Sequence, residues 1–393
     1  MKIIVFLGDG MADLPHPTLG NRTPLDVSAH PHMDALASAA ALFGMVQTIP
    51  EDMPAGSDVA NLAVLGYDPA RRYTGRSSLE AVSMGIELAE TDVCYRCNLV
   101  TFSETDNLED AILLDYSAGE IPTEEAHALI AKLAVGLPLQ NADLHAGISY
   151  RNCLVLHNAQ GGADLTPPHD ITGQPVREYL PKGTNAEILL SYMQAARALL
   201  SEHPANGIWF WGEGKKPRLP NFRETFGLRG AMISAIDLLH GIALCAGMER
   251  IRVPGATGDY HTDYAAKARA AIAALQNGAD YVYIHVEAAD ECGHRRQVRE
   301  KCYAIEQIDA KIVGPVMAWL QNCGEDFAAL LLPDHPTPLS LGTHSAAPVP
   351  FALYKKGDNA ARHIRYCEQS AEKTGLFIAN APDLMQIMIR QED

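Results

Sequence analysis

The chain has 393 residues, 47% hydrophobic and 20% charged, with 48 acidic against 31 basic side chains and a net charge of −17. That apolar content excludes a disordered chain, and the length suits two or three domains of about 150 residues each. The acidic balance disfavours nucleic acid and anionic membrane surfaces as partners, but it permits an anionic substrate in a cleft lined by Arg and cations.

Residues 2–7, Lys-Ile-Ile-Val-Phe-Leu, form an apolar run closed by glycine. This is the pattern of a strand buried on both faces, and the absence of a small-residue cleavage site argues against a signal peptide. Similar runs lie at 207–211, 281–286 and 327–332. Alanine-rich stretches with helical periodicity lie between them, at 32–42, 58–65, 186–201, 231–246, 262–276 and 298–320. Strands alternating with helices predict an α/β domain around a mostly parallel sheet sandwiched by helices. Residues 93–170 read differently. Shorter strands are expected at 95–101, 111–116, 148–150 and 153–157, with one helix at 122–134. This predicts a smaller α+β domain at 93–170, inserted into a discontinuous core of 1–92 and 171–393.

Eight cysteines are scattered along the chain, and only Cys94-Tyr-Arg-Cys97 forms a C-x-x-C, with no second pair at zinc-ribbon spacing. No apolar run reaches the roughly 18–20 residues that a membrane helix needs. The expectation is a cytoplasmic protein with reduced thiols, its oligomeric state left open.

Three predicted strands end in ligand-bearing residues. The first leads into Asp9, the run at 281–286 into Asp290 and His294, and the run at 327–332 into Asp334 and His335, followed by His344. Open α/β sheets bind ligands at the carboxyl ends of their strands. Carboxylate and imidazole without thiolate suit Mn²⁺ or Zn²⁺, with Mg²⁺ also compatible. Three Asp and three His suffice for two metals, the arrangement that clamps an in-line displacement at phosphorus. In "PAGSDVANLAVLGYDP", Ser57 is expected at the N-cap of a helix. A helix N-terminus is also an anion site, so a serine there beside two cations could attack a phosphoryl group. The chain has no G-x-S-x-G elbow, no P-loop and no complete G-x-G-x-x-G, which argues against acyl-transfer and dinucleotide chemistry.

Asp9, "AGSDVANLAVLGYDP", "YTGRSSLEA", "ATGDYHTDYAAKA", "EAADECGH" and "PDHPTP…THSAAPVPF" together resemble cofactor-independent phosphoglycerate mutases of the archaeal type, in the alkaline phosphatase superfamily. The resemblance implies Asp9, Ser57, Asp334 and His335 around one metal and Asp290, His294 and His344 around the other. It implies Ser57 as the phosphorylated nucleophile and an inserted lid. Two displacements would move a phosphoryl group between the 3- and 2-positions of a glycerate. Planar cationic groups would hold such a small phosphorylated substrate. The candidates are Arg76, Arg96, Arg151, Lys215, Lys216 and Arg218, with His169 and Asp170 binding or protonating the departing group. The chain departs from the family pattern at Glu120 in "AGEI", where many of these mutases carry Arg. "WFWGEGKKPRLP…ISAIDLLHGIA" is closer to bacterial relatives proposed as homoserine kinases. A homoserine kinase-like phosphotransferase using the same serine is therefore the alternative. A metal-stabilised binding module without turnover is the non-enzymatic one.

Overall fold

The structure is a computed structural model describing residues 1–360 and 363–390, and these residues divide into two compact units. The first comprises 1–73 together with the chain from 219 onward, and the second comprises 74–218.

The first unit is built on an eight-stranded sheet. In chain order its strands are β1 (Lys2–Gly8), β2 (Leu42–Val46), β3 (Gly230–Ile233), β4 (Glu249–Ile251), β5 (Tyr281–Val286), β6 (Phe327–Leu332), β7 (Val349–Lys355) and β8 (Phe377–Ile378). Their spatial order is β4-β3-β5-β1-β6-β7-β2-β8, and only β7 runs against its neighbours. The expected α/β architecture with a mostly parallel sheet is borne out. Ile3 to Leu7 are each at most 1% exposed, so β1 is covered on both faces. Fully burying one such side chain contributes about 1.5–3 kcal/mol relative to exposure. Parallel register aligns the strand ends: Gly8 lies opposite Val286, and Leu7 opposite Leu332. The residues that follow β1, β5 and β6 therefore leave the sheet along one edge.

The helices of this unit include α1 (Ser57–Val64), α2 (Tyr264–Gln276), α3 (Ala288–His294) and α4 (Val298–Ile308). In α2 the Asp263 side chain caps the amide of Ala266, and the buried face carries Tyr264, Ala268, Ala271 and Leu275. That is the three-to-four spacing of a helix packed on a sheet. The helix expected over 231–246 is instead β3 followed by a helix at Asp237–Cys245. Ala231, Met232 and Ile233 are fully buried and paired to β5, so the sheet overrides their helical propensity.

The second unit holds an antiparallel sheet. Its long strand Val93–Phe102 pairs with Arg151–Leu156 and with Gly207–Lys215, and Ala142–Ile148 pairs with Arg151–Leu156. Leu113–Asp115 joins the end of the long strand. The domain boundaries differ from those expected, falling at 73/74 and 218/219 rather than at 92/93 and 170/171. The cause is the run at 207–211. It reads as another core strand, but it hydrogen-bonds along Val93–Phe102 and draws the preceding helix Ala186–Leu199 with it. Helix Arg76–Ser83 also packs on both of these strands.

Candidate metal centre

Asp9 follows β1 directly, and its amide bonds to Val286 O at the end of β5. The next residue, Gly10, has φ +59°, and a Cβ there would lie 2.5 Å from Thr337 Oγ1 and 2.6 Å from the Asp290 backbone. Only glycine lets these strand ends approach so closely. The Gly10 amide donates to Asp334 Oδ1 at 3.1 Å, which ties the end of β1 to the residues after β6.

Ser57 is the first residue of α1, and Gly56 rather than Ser57 is its N-cap. The one-residue shift leaves the serine hydroxyl uninvolved in capping, and its Oγ lies 3.1 Å from His335 Nε2. One turn on, Asn61 donates to Ser57 O at 2.8 Å and to Asp334 Oδ2 at 2.9 Å, while it accepts from Tyr283 OH at 2.6 Å. The start of the helix is thereby fixed against both β5 and the end of β6.

Asp290, His294 and His344 offer ligand atoms that all lie within 4.8 Å of one another, as do Asp9, Asp290 and His335, and Asp9, His285 and Asp334. All of the predicted metal ligands are thus brought to one sheet edge, with Asp290 and Asp9 shared between groupings. His294 Nε2 and His344 Nε2 stand 2.9 Å apart. Their Nδ1 atoms face carbonyl oxygens, Gly342 O at 3.0 Å and Ala55 O at 3.3 Å. A carbonyl only accepts, so each Nδ1 carries a proton, and the two Nε2 atoms converge on Asp290, at 3.3 Å from Oδ2 and 3.4 Å from Oδ1. Imidazoles bound to metal are commonly oriented in this way. Two imidazole nitrogens and a carboxylate converging in this way fit a cation, which would take the place of any proton on Nε2.

The carboxylates lead to the same conclusion. Burial, together with facing Asp334 and Asp290, holds Asp9 well above the usual carboxylate range, and its Oδ1 is a buried atom without a hydrogen-bond partner. Asp290, despite its burial, is held well below that range by His294 and His344. Burial works against charge on His294, but Asp290 raises it to about 9; at His335 burial wins and lowers the ring to about 4. Carboxylate oxygen with neutral imidazole and no thiolate is a donor set for Mn²⁺, Zn²⁺ or Mg²⁺.

A family profile described as 2,3-bisphosphoglycerate-independent phosphoglycerate mutase matches residues 38–206. A relative from Geobacter sulfurreducens is 46% identical over 99% of this chain and all of its own length. The 2,3-bisphosphoglycerate-independent phosphoglycerate mutase of Methanothrix thermoacetophila is 46% identical over 99% of this chain and 100% of that one. The chain belongs to this mutase family. A solved protein from Pyrococcus horikoshii, 26% identical, superposes with a TM-score of 0.77 over 100% of this chain and 98% of its own. The resemblance read from the sequence is borne out, and so is the expectation of an isomerase. Among the described residues no helix is long and apolar enough to cross a membrane.

The predicted substrate-binding residues of this mutase-family chain all lie in the second unit. Arg76 and Arg96 converge on Trp211, each guanidinium carbon 5.3 Å from the ring centroid. Both pair with Glu80, Arg76 Nε at 3.1 Å and Arg96 through Nη1. Despite its burial, Glu80 is held below the usual range by the two guanidinium groups. His169 meets the Trp211 ring at 5.4 Å and the Tyr116 ring at 6.1 Å, with Asp170 Oδ1 3.8 Å from its Nε2. Arg151 lies over Tyr150, whose ring is 5.9 Å from Tyr116. Lys216 and Arg218 are drawn instead to Glu90, and Lys215 closes the strand Gly207–Lys215.

Sequence reasoning missed the residues that support this centre. Asn61, Tyr283, His285, Glu287, Lys267 and Thr337 are all buried polar groups packed at or near it. A visible signal did exist, because a histidine inside the apolar run 281–286 and a lysine on the alanine face of α2 each need a buried partner.

Proposed function

We propose that this chain interconverts 3-phosphoglycerate and 2-phosphoglycerate by two in-line phosphoryl transfers through Ser57. The observation that supports it is the Ser57 hydroxyl at the start of a helix, 3.1 Å from His335 Nε2 and flanked by two carboxylate–imidazole groupings that share Asp290. Asp9, Ser57, Asp334 and His335 would hold one divalent ion, and Asp290, His294 and His344 the other. Mn²⁺ is the preferred ion, with Zn²⁺ or Mg²⁺ as alternatives. When bound, the ions supply Lewis acidity and balance the charge on phosphoryl oxygens.

Ser57, whose proton would be lost to solvent when the neighbouring ion is held, attacks phosphorus as the alkoxide; the Oγ–P bond forms, and the bond from phosphorus to the C3 oxygen breaks. The free amides at the start of α1 face the phosphoryl oxygens. His169 gives a proton to the departing oxygen, and Arg76, Arg96 and Arg151 bind the anionic groups of the glycerate. The C2 hydroxyl then returns its proton to His169 and attacks the phosphoserine, which regenerates Ser57. No bisphosphoglycerate is needed. Relatives named as mutases at 46% identity favour this reading over the kinase alternative, whose support is Glu120 and the form "WFWGEGKKPRLP…ISAIDLLHGIA".

The test is turnover of the Mn²⁺-loaded protein on 3-phosphoglycerate, followed by ³¹P NMR, with homoserine plus ATP as a parallel arm. Conversion to 2-phosphoglycerate alone is expected, with loss of at least a thousandfold in Ser57→Ala. Undiminished turnover in that variant would sink the serine mechanism, and phosphorylation of homoserine alone would sink the mutase reading.

A further inference from the structure

The two oxygens of Asp9 face different partners. Oδ1 lies 3.6 Å from His335 Nε2, whereas Oδ2 lies 3.1 Å from Nε2 of His285. His285 is fully buried near the end of β5. It follows Tyr283 by two residues, so both side chains leave the same face of the sheet. The other ring nitrogen, Nδ1, is 3.2 Å from Glu287 Oε1. Glu287 is held in turn on every side. Oε1 accepts from Ser234 Oγ at 2.7 Å and from the Ala235 amide at 2.6 Å, and Oε2 from Lys267 Nζ at 2.7 Å. Lys267 also donates to His285 O at 2.8 Å, which locks strand to helix.

Four ionisable groups thus run in a buried line: Asp9, His285, Glu287, Lys267. Of these, only Asp9 is among the ligands proposed for the two ions. Burying such a line costs several kcal/mol per charge before pairing, and an apolar packing of the same volume would often be no less stable. Stability therefore does not explain it. What the line does provide is a fixed place for the Asp9 carboxylate: Oδ2 lies at ion-pair distance from His285 Nε2, an approach outside hydrogen-bond alignment, and Oδ1, beside His335, has no hydrogen-bond partner.

We propose that His285, held in place by Glu287 and Lys267, is a positioning residue that orients Asp9 so that Oδ1 faces the metal beside Ser57. The inference rests on the proposed two-metal site. It assigns the network to one metal only, because Asp9, its single member among the proposed ligands, is proposed for the ion beside Ser57 alone.

The experiment titrates Mn²⁺ into wild-type protein, His285→Ala, His285→Gln and Glu287→Gln, reading free Mn²⁺ by EPR, with thermal melts in parallel. Wild type is expected to take up two ions. His285→Ala is expected to lose 10- to 100-fold in affinity at one site, the range for removing an outer partner of a metal ligand, with the other site within twofold. His285→Gln, which returns an N–H donor towards Asp9, is expected to recover most of that loss at the same melting temperature. Glu287→Gln is expected to weaken the same site several-fold, and it carries the comparison if His285→Ala does not fold. Two unchanged sites in folded His285→Ala, a glutamine variant as weak as the alanine one, or an unchanged Glu287→Gln would each overturn the proposal while leaving the two-metal site intact. A wild-type protein that takes up no Mn²⁺ would remove the two-metal site and this inference together.

Discussion

His294 and His344 show how much a single side chain decides at this centre. Their Nε2 atoms stand 2.9 Å apart with both Nδ1 protons committed to backbone carbonyls, so neither ring can turn its Nε2 away without losing a hydrogen bond. A divalent ion held between them would bind only the folded chain, which alone brings the two rings and Asp290 together. Saturating metal at a hundredfold over its dissociation constant should then add about 2.7 kcal/mol of stability per site. Denaturant melts with Mn²⁺ and with chelator measure that increment. His344→Ala is expected to remove the increment of one site and keep the other, and a full increment in the variant would take His344 out of the ligand set. Asp9, Asp290, Asp334 and His335 were legible in the sequence because each follows an apolar run closely. Asn61 and Thr337 were not. An amide inside a helix and a hydroxyl in a loop carry no periodic signal, and their roles come from partners as far as 273 and 47 residues away.

The strand ends bring these residues together, and Gly10 sets how closely they approach. The turn after β1 has φ +59° at Gly10 and presses against the backbone of α3 at Asp290, which cannot yield as a flexible side chain would. Gly10→Ala is expected to cost roughly 1–3 kcal/mol through overpacking and to weaken metal binding at both sites. A melt and a Mn²⁺ titration check it, and wild-type values in both would show that the turn is looser than its geometry. A second pin holds the loop after β6. Lys301 of α4, fully buried, donates to Asp13 Oδ2 at 2.7 Å and to Thr337 O at 2.8 Å. Breaking a buried pair of this kind by removing one partner costs about 3–5 kcal/mol, so Lys301→Met should lower the denaturation midpoint sharply. An unchanged midpoint would show that Asp13 finds other partners. At this scale the sequence showed the three central strands, whose runs are continuous, and missed β3, β4, β7, β2 and β8. Those are short, or carry a proline such as Pro350, or lie in alanine-rich surroundings that read as helix.

For the molecule as a whole, the α/β class was legible from alternation alone, whereas the division into units was not. An apolar strand such as 207–211 does not declare which sheet it joins, because that is fixed by pairing over a distance of about a hundred residues. The same non-local logic governs how the end of the first unit is fastened to its beginning. Glu368, in the C-terminal segment, accepts from the Asp13 amide at 3.0 Å and from Thr23 Oγ1 at 2.6 Å. Burial pushes its carboxyl up to about 7, with these hydrogen bonds only partly offsetting the rise. An unfolded glutamate titrates near 4.3, so between the two values the folded chain binds more protons than the unfolded one. The contribution of Glu368 is therefore fully present below about pH 4, shrinks as pH rises, and is gone once the folded carboxyl has ionised above about 8. Glu368→Gln keeps an oxygen for the Asp13 amide and places an N–H against Thr23 Oγ1, without a charge to bury. Relative to this variant, wild-type stability should fall as pH rises from 5 to 8, and the difference between the two should level off beyond that. Denaturation midpoints at four or five pH values would measure it, and parallel curves for the two proteins would show that Glu368 ionises in the fold as it does in water.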